Sequence, residues 1–327
     1  MKKKVNFFWI IYGVVLVILF LVSSTDLIIK EEEAEVYPIS VIIRDTSDEN
    51  YVNFRKGMER AALELNGDVG FITLYEKGNI QQQRELMLRE QEDGSRALIV
   101  DLVEEEMLSE MRENGMLSIP VICINGEWKT AAGLNNTAVL TFDYYEMGCR
   151  LGEEILKDHP MAERVRLLEA EDFDTSGMLF SKGLCETLAR TGCTVLPIEL
   201  LYGNGTPEEM LRELAEGETG DIIIAASAPE SLLAAAQLLS ESEEAAKHVD
   251  GLYGRGNTVP ILNYLDKGII QGLCVTDDFS SGYLSVKTAV ELAENRSVEN
   301  ITYFESYYIR REDLRNEKYE KMLYPIE

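Results

Sequence analysis

The side chains able to do covalent or metal chemistry are few and badly spaced for it. His159 and His248 are the only histidines, and neither lies near a cysteine or the other, so no zinc site is expected and each reads as a surface or helix-capping residue. Neither a G-x-S-x-G elbow nor a G-x-x-x-x-G-K-[ST] phosphate loop occurs. Asp172-Phe-Asp174-Thr-Ser176-Gly177 opens like a calcium loop but has Gly183 where the bidentate Glu belongs. Gly254-Arg-Gly256 lacks the third glycine of a dinucleotide fingerprint and suits a tight strand-to-helix turn. Asp277 and Asp278 are adjacent, and in extended chain neighbours point to opposite sides, which makes them a poor acid–base pair. The expectation is therefore a non-enzyme with no cofactor and no metal, whose chemistry is recognition. An exported α/β enzyme is the minor alternative.

Recognition residues need a scaffold, and the apolar pattern supplies one. Short apolar runs at 40–43, 70–74, 97–102, 120–124 and 138–142 alternate with helical patterns. Between the first two, Phe54, Met58, Ala61, Ala62 and Leu65 follow the 3.6-residue period, so the order is strand, helix, parallel strand. The pattern restarts after a helix carrying Met147, Leu151 and Ile155 on one face, with runs at 165–168, 195–198, 221–225, 249–252 and 269–275. Thr206-Pro207-Glu208-Glu209 is a capping box with Pro at the first helical position. A chain of 327 residues is too long for one core. The fold predicted is α/β: two doubly wound parallel-sheet lobes joined by a three-segment hinge near 141–143, 275–277 and 303–306. The N-lobe would hold 38–142 plus 278–302, and the C-lobe 143–277 plus 303–327.

Such sheets bind ligands beyond the C-terminal ends of their strands. The segment there, Asp48-Glu-Asn50-Tyr51-Val-Asn-Phe-Arg-Lys-Gly57-Met-Glu-Arg-Ala61, resembles the first strand-to-helix loop of type 1 periplasmic binding proteins, the ribose- and galactose-binding group related to the ligand domains of lactose-repressor-type regulators. Ile119-Pro-Val-Ile-Cys-Ile-Asn125-Gly126 is similar to their fourth strand, and Phe142-Asp143-Tyr-Tyr-Glu-Met-Gly148 to their first crossover. Asp221-Ile-Ile-Ile-Ala-Ala-Ser227 and Val275-Thr276-Asp277-Asp278-Phe-Ser-Ser-Gly282-Tyr continue the likeness in order over about residues 38–315. The resemblance implies the periplasmic-binding-protein-like I fold and ligand binding by Asp48, Asn50, Tyr51, Asn125, Phe180, Ser227, Tyr253, Arg255, Thr276 and Asp277. Tyr51 and Tyr253 would be stacking platforms and the polar members orienters. The chain departs from the family at four sugar-gripping positions: Asn125-Gly126 replaces an Asp-Arg pair, Phe180 an Arg, Ser227-Ala228 an Asn-Asp pair, and Tyr253 an acid. The expected solute is a sugar or a similar small polar molecule.

The N-terminus fixes the expected location. Lys2, Lys3 and Lys4 precede residues 5–22, a run of 18 without a charge, which as helix spans about 27 Å. The lysines would stay cytoplasmic, so 1–30 reads as an uncleaved single-pass membrane anchor, 31–37 as a charged stalk and the rest as extracytoplasmic. Val22-Ser23-Ser24 is a weak cleavage site, and no cysteine precedes Cys123 to take a lipid. Beyond residue 30 there are 27 basic and 57 acidic side chains, a surface that repels nucleic acid. Five cysteines, Cys123, Cys149, Cys185, Cys193 and Cys274, contain no C-x-x-C pair and make no disulfide framework, a Cys185–Cys193 bridge being left to geometry. The expected role is a ligand sensor for a membrane partner such as a sensor histidine kinase, because Gram-positive importer receptors are usually lipoproteins. The alternative is the receptor of an ABC-type sugar importer, with a permease as partner.

Overall fold

A computed structural model describes residues 2–24, 35–169, 175–198 and 222–325. The acidic residues Asp172 and Asp174 and the Thr206 capping box lie outside them. The chain divides into two compact units, Met1–Val36 and Tyr37–Glu327.

In the first unit α1 (Lys2–Ser24) is one continuous helix. The side chains described on it, Trp9 and residues 11–21, are exposed apolar groups apart from Gly13. Among the described residues no helix is long and apolar enough to cross a membrane, those side chains being only part of the uncharged run 5–22.

The second unit is built on two sheets. The first comprises β1 (Tyr37–Ile42), β2 (Gly67–Ile72), β3 (Ala97–Asp101), β4 (Val121–Ile124), β5 (Thr137–Phe142) and β11 (Ile301–Phe304), in the order β11-β5-β4-β3-β1-β2, all parallel. The second comprises β6 (Arg164–Leu168), β7 (Thr194–Ile198), β8 (Ile222–Ala226), β9 (Val249–Arg255), β10 (Gly272–Thr276) and β12 (Ser306–Ile309), in the order β12-β10-β9-β8-β6-β7. Only β12 runs antiparallel to its neighbour. Central strands such as β3, Ala-Leu-Ile-Val-Asp, are buried along their whole length because helices cover both faces. The chain passes between the sheets after Phe142, after Thr276 and at Glu305. This is the two-lobed α/β architecture expected. Two differences matter. The strand expected at 249–252 continues to Arg255, and the last crossover carries two strands, β11 and β12, that short mixed sequence did not signal.

Among the described residues of this unit the α-helices are α2 (Val52–Leu65), α3 (Ile80–Glu92), α4 (Glu105–Glu113), α5 (Tyr144–Asp158), α6 (Thr175–Ala189), α7 (Pro229–Glu241), α8 (Glu243–Ala246), α9 (Val259–Asp266), α10 (Asp278–Ala293) and α11 (Glu317–Leu323). In α2, Phe54, Met58 and Ala61 form the buried stripe that the period predicts. Two helix pairs cross at backbone contact. A Cβ on Gly57 of α2 would stand 2.0 Å from the Phe279 carbonyl oxygen, and one on Gly282 of α10 would stand 2.0 Å from that of Phe54. In the other lobe, a Cβ on Gly148 of α5 would stand 2.0 Å from the Phe180 carbonyl oxygen and one on Gly183 of α6 would stand 2.1 Å from that of Tyr145. Only glycine permits this approach. All five cysteines, Cys185 and Cys193 included, are free thiols.

Candidate functional site

Where the C-terminal ends of both sheets face each other, a cleft of about 490 Å³ opens, the size of a small-solute site. From the first lobe, Asp101 ends β3, Asn125 follows β4, and Tyr51 closes a short 3-10 turn before α2. Asn125 sits at φ 60°, a left-handed conformation that asparagine tolerates. The Asp101 carboxylate gathers these groups: its Oδ2 accepts from Tyr51 Oη at 2.5 Å and from Asn125 Nδ2 at 3.3 Å, with Arg44 Nε at 3.6 Å. Its Oδ1 is buried and accepts from no described residue. Burial raises the Asp101 pKa, with Arg44 and the Tyr51 bond opposing. Burial and the Asp101 charge together push the Tyr51 phenol well above its ordinary range. Beside them, Asp45 pairs with Lys77 at 3.4 Å and is raised chiefly by burial.

The second lobe contributes Arg255, at the end of β9. Its guanidinium donates to the Ser227 carbonyl and to Ser176 Oγ at 2.9 Å, and it stacks between the Tyr144 and Phe180 rings at 5.1 and 5.7 Å. Asp278, in the first turn of α10, lines the cleft as well and accepts from Thr276 Oγ1 at 2.6 Å and Asn257 Nδ2 at 2.9 Å. Burial lifts the Asp278 carboxyl to about 6 against those two bonds. Hydrogen bonds run from lobe to lobe: at the cleft Asn50 Nδ2 donates to Glu230 Oε1 at 2.7 Å, and Asn53 Nδ2 and Lys56 Nζ of α2 donate to the Leu323 and Pro325 carbonyls at 3.0 and 3.1 Å. The arrangement offers polar groups converging from both lobes with Tyr144, Phe142 and Met147 as apolar wall.

Of the residues singled out in the sequence, Asn50, Tyr51, Asn125, Arg255 and Thr276 line this cleft. The others do not. Asp48 is a half-buried partner of Arg55. Phe180 is fully buried within α6, beneath Arg255. Ser227 is buried, its Oγ bonded to the Leu168 carbonyl. Asp277 is the N-cap of α10 and accepts from the Ser280 amide. Tyr253 is corrected outright: it is 1% exposed in the second-lobe core, its hydroxyl held by Asp158 and His159. It lies within β9 rather than after it, so it never reaches the cleft. Tyr51 is also no open platform, because its ring is embedded edge-on against Phe54 and Phe71. Sequence reasoning missed Arg44, Asp45, Asp101, Tyr144, Asn257 and Asp278. Asp101 carried a usable signal, as a lone carboxylate at the end of an apolar strand.

Residues 39–297 match the periplasmic binding protein domain family. The chain belongs to that family. Solved structures of the same fold include a carbohydrate transporter solute-binding protein from Agrobacterium radiobacter in complex with D-arabinose, at 18% identity and a TM-score of 0.75 over 88% of this chain and 99% of that one. A glucose-galactose binding protein from Geobacillus stearothermophilus is 19% identical, with a TM-score of 0.71 over 86% and 99%. An ABC transporter solute-binding protein from Bacillus halodurans with bound myo-inositol is 18% identical, with a TM-score of 0.72 over 89% and 99%. A comparison with curated proteins finds no match. At these identities the likeness establishes the type 1 periplasmic-binding fold, the fold of sugar-binding ABC transporter solute-binding proteins.

Proposed function

We propose that the protein is a membrane-anchored, extracytoplasmic receptor for a small polyhydroxylated solute, and that it reports occupancy to a membrane signalling partner. One observation carries the solute reading: a cleft of about 490 Å³ between the lobes, in which both lobes present hydrogen-bonding groups beside aromatic walls. The polyol class is supported by relatives of the same fold whose bound molecules are D-arabinose and myo-inositol. Anchoring is supported by the three lysines before the uncharged run at 5–22 and by the unbroken helix Lys2–Ser24. Those features favour a sensor. The importer receptor is the second reading, favoured by relatives described as ABC transporter solute-binding proteins.

The test is a thermal-shift screen of pentoses, hexoses and cyclitols, in which a ligand at 100 times its Kd adds about 2.7 kcal/mol. Hits should then compact the protein in small-angle scattering as the lobes close. A panel without a single hit would overturn the polyol assignment. Intact mass of the membrane-extracted chain tests the anchor, and a mature N-terminus near Ser24 would remove it.

A further inference from the structure

The first sheet ends in an unguarded edge. β2 pairs with β1 over every residue from Gly67 to Ile72, and no described strand pairs with its outer side. It has no proline, lysine or bulge to blunt that edge, its one charge being Asp68. Between β2 and α2 runs a groove of about 480 Å³ whose apolar lining includes Ala62, Leu63, Val69 and Phe71. Leu63 is 82% exposed, and Val52, three helical turns earlier on the same stripe of α2, is 53% exposed. Arg55 and Glu59 lie on that stripe between them. α2 carries Arg55, Lys56 and Arg60 against Glu59 and Glu64, so this face lacks the acidic excess of a chain with 31 basic and 58 acidic residues.

A second copy of the chain matches this face by symmetry. In antiparallel pairing, directly opposite residues point to the same side of the sheet, so a two-fold axis between two β2 strands passes through a residue. At Gly70 it sets Val69 of each copy opposite Phe71 of the other, which extends the apolar lining across the junction. The same axis relates the helices. Arg55 stacks on Phe71 at 5.2 Å, and a Cβ on Gly67 would stand 3.2 Å from Ala62 Cα, so α2 runs antiparallel to β2 with Gly57 about level with Gly70. Counted from Gly57, Arg55 and Glu59 are equally far in opposite directions, and Val52 is one residue nearer than Leu63. Each Glu59 therefore comes level with Arg55 of the other copy, and each Leu63 comes within about 1.5 Å in height of the other's Val52. Arg55 can serve Glu59 besides Asp48, because a guanidinium carries five N–H donors. Each α2 lies over its own β1 and β2. Strands about 4.8 Å apart then put the two helices about 10 Å apart, an ordinary helix-packing distance.

We propose that the chain forms a two-fold homodimer through β2 and α2, joining the first-lobe sheets of two copies edge to edge, independently of the solute cleft. The test is cross-linking of the full chain in mild detergent with a short bismaleimide. In Val52→Cys/Leu63→Cys the two new thiols of one chain lie about 16 Å apart along α2, out of mutual reach, while those of facing copies lie side by side. The double variant should therefore be trapped as a dimer. Val52→Cys alone and Leu63→Cys alone place like positions about 15–18 Å apart in height. Both should stay at the background of the wild type, whose Cys149 and Cys185 are half-buried. Sedimentation velocity should show a dimer whose dissociation constant Leu63→Asp raises at least about tenfold, because two apolar contacts are lost per dimer. Leu63 is exposed, so that change spares the fold. A chain that is monomeric at every concentration overturns the proposal. So does a dimer that Leu63→Asp leaves as tight, a double variant that does not cross-link, or a single variant that cross-links as well as the double one, each of which puts the interface elsewhere.

Discussion

Replacing Asp278 by asparagine should make the protein more stable at neutral pH, and the structure sets both the size and the pH window. Burial lifts the folded-state carboxyl from 3.8 to about 6. At about 1.36 kcal/mol per pH unit, ionising it in the folded protein costs about 3 kcal/mol more than in the unfolded chain. Two features reduce this. The carboxyl is partly open to the cleft, where solvent screens it. It also stands in the first turn of α10, where the helix N-terminus favours negative charge by about 0.3–1 kcal/mol. About 1–2 kcal/mol remains. The sign follows from linkage: a raised folded pKa gives stability that is fully present below about pH 4 and is lost as pH rises through about 6. The amide is isosteric and can be satisfied in place, its oxygen accepting from Asn257 and its NH2 donating to Thr276 Oγ1. Asp278→Asn should therefore match the wild type near pH 4 and exceed it by about 1–2 kcal/mol near pH 7.5, in urea unfolding of residues 35–327 followed across that range. Equal differences at both pH values, or lower stability at pH 7.5, would refute the reasoning.

Three further outcomes are expected. Gly148→Ala should cost at least the 1–3 kcal/mol typical of overpacking, because the new Cβ lies 2.0 Å from a backbone carbonyl that no rotamer change can move; urea midpoints measure it, and an unchanged midpoint would contradict the described crossing. Tyr51→Phe should cost about 1–3 kcal/mol by stripping Asp101 of its shortest hydrogen bond, and Tyr51→Ala about 3–5 kcal/mol by emptying a core site; a Tyr51→Phe melt identical to the wild type would show that the hydroxyl does nothing. Asn50→Ala removes one of the bonds that join the lobes, the one lining the cleft, worth about 0.5–1.5 kcal/mol, so the unliganded protein should shift roughly two- to twelvefold toward open forms; small-angle scattering would reveal a larger radius of gyration, and an unchanged one would deny the latch.

The two lobes were legible in the sequence because their strands are buried on both faces and stand out as apolar runs between helical stripes. Half of the site was legible too, since Asn50, Tyr51 and Asn125 follow strands whose ends could be placed. The failures come from strand length. Ending β9 at Leu252 turned Tyr253 into a loop residue, whereas the strand runs on to Arg255 and only its last side chain reaches the cleft. Tyr253 and Arg255 project from the same face two residues apart, a rise of about 6.6 Å that separates core from site. Asp277 and Asp278 cannot be told apart by local pattern, which does not say which of two adjacent carboxylates caps the helix and which turns inward. Arg44 and Asp101 could not be paired in advance, because β1 and β3 bring them together across 57 residues of chain.

The glycine crossings bear on how the molecule can bend. The two helices that leave the crossovers, α5 and α10, each lock by backbone contact onto another helix of the lobe they enter, α6 and α2. Their first turns are pinned as well, by the Asp143 and Asp277 carboxylates accepting from Glu146 and Ser280 amides. Neither helix can swivel against its own lobe, so rotation has nowhere to go but the one or two peptide units between each strand end and its cap. The lobes then behave as stiff levers on short torsional pivots. A contact made inside the cleft is delivered to the far faces of both lobes as displacement and is not dissipated as local bending. On the receptor reading proposed above, that stiffness would set how faithfully occupancy reaches the outer faces.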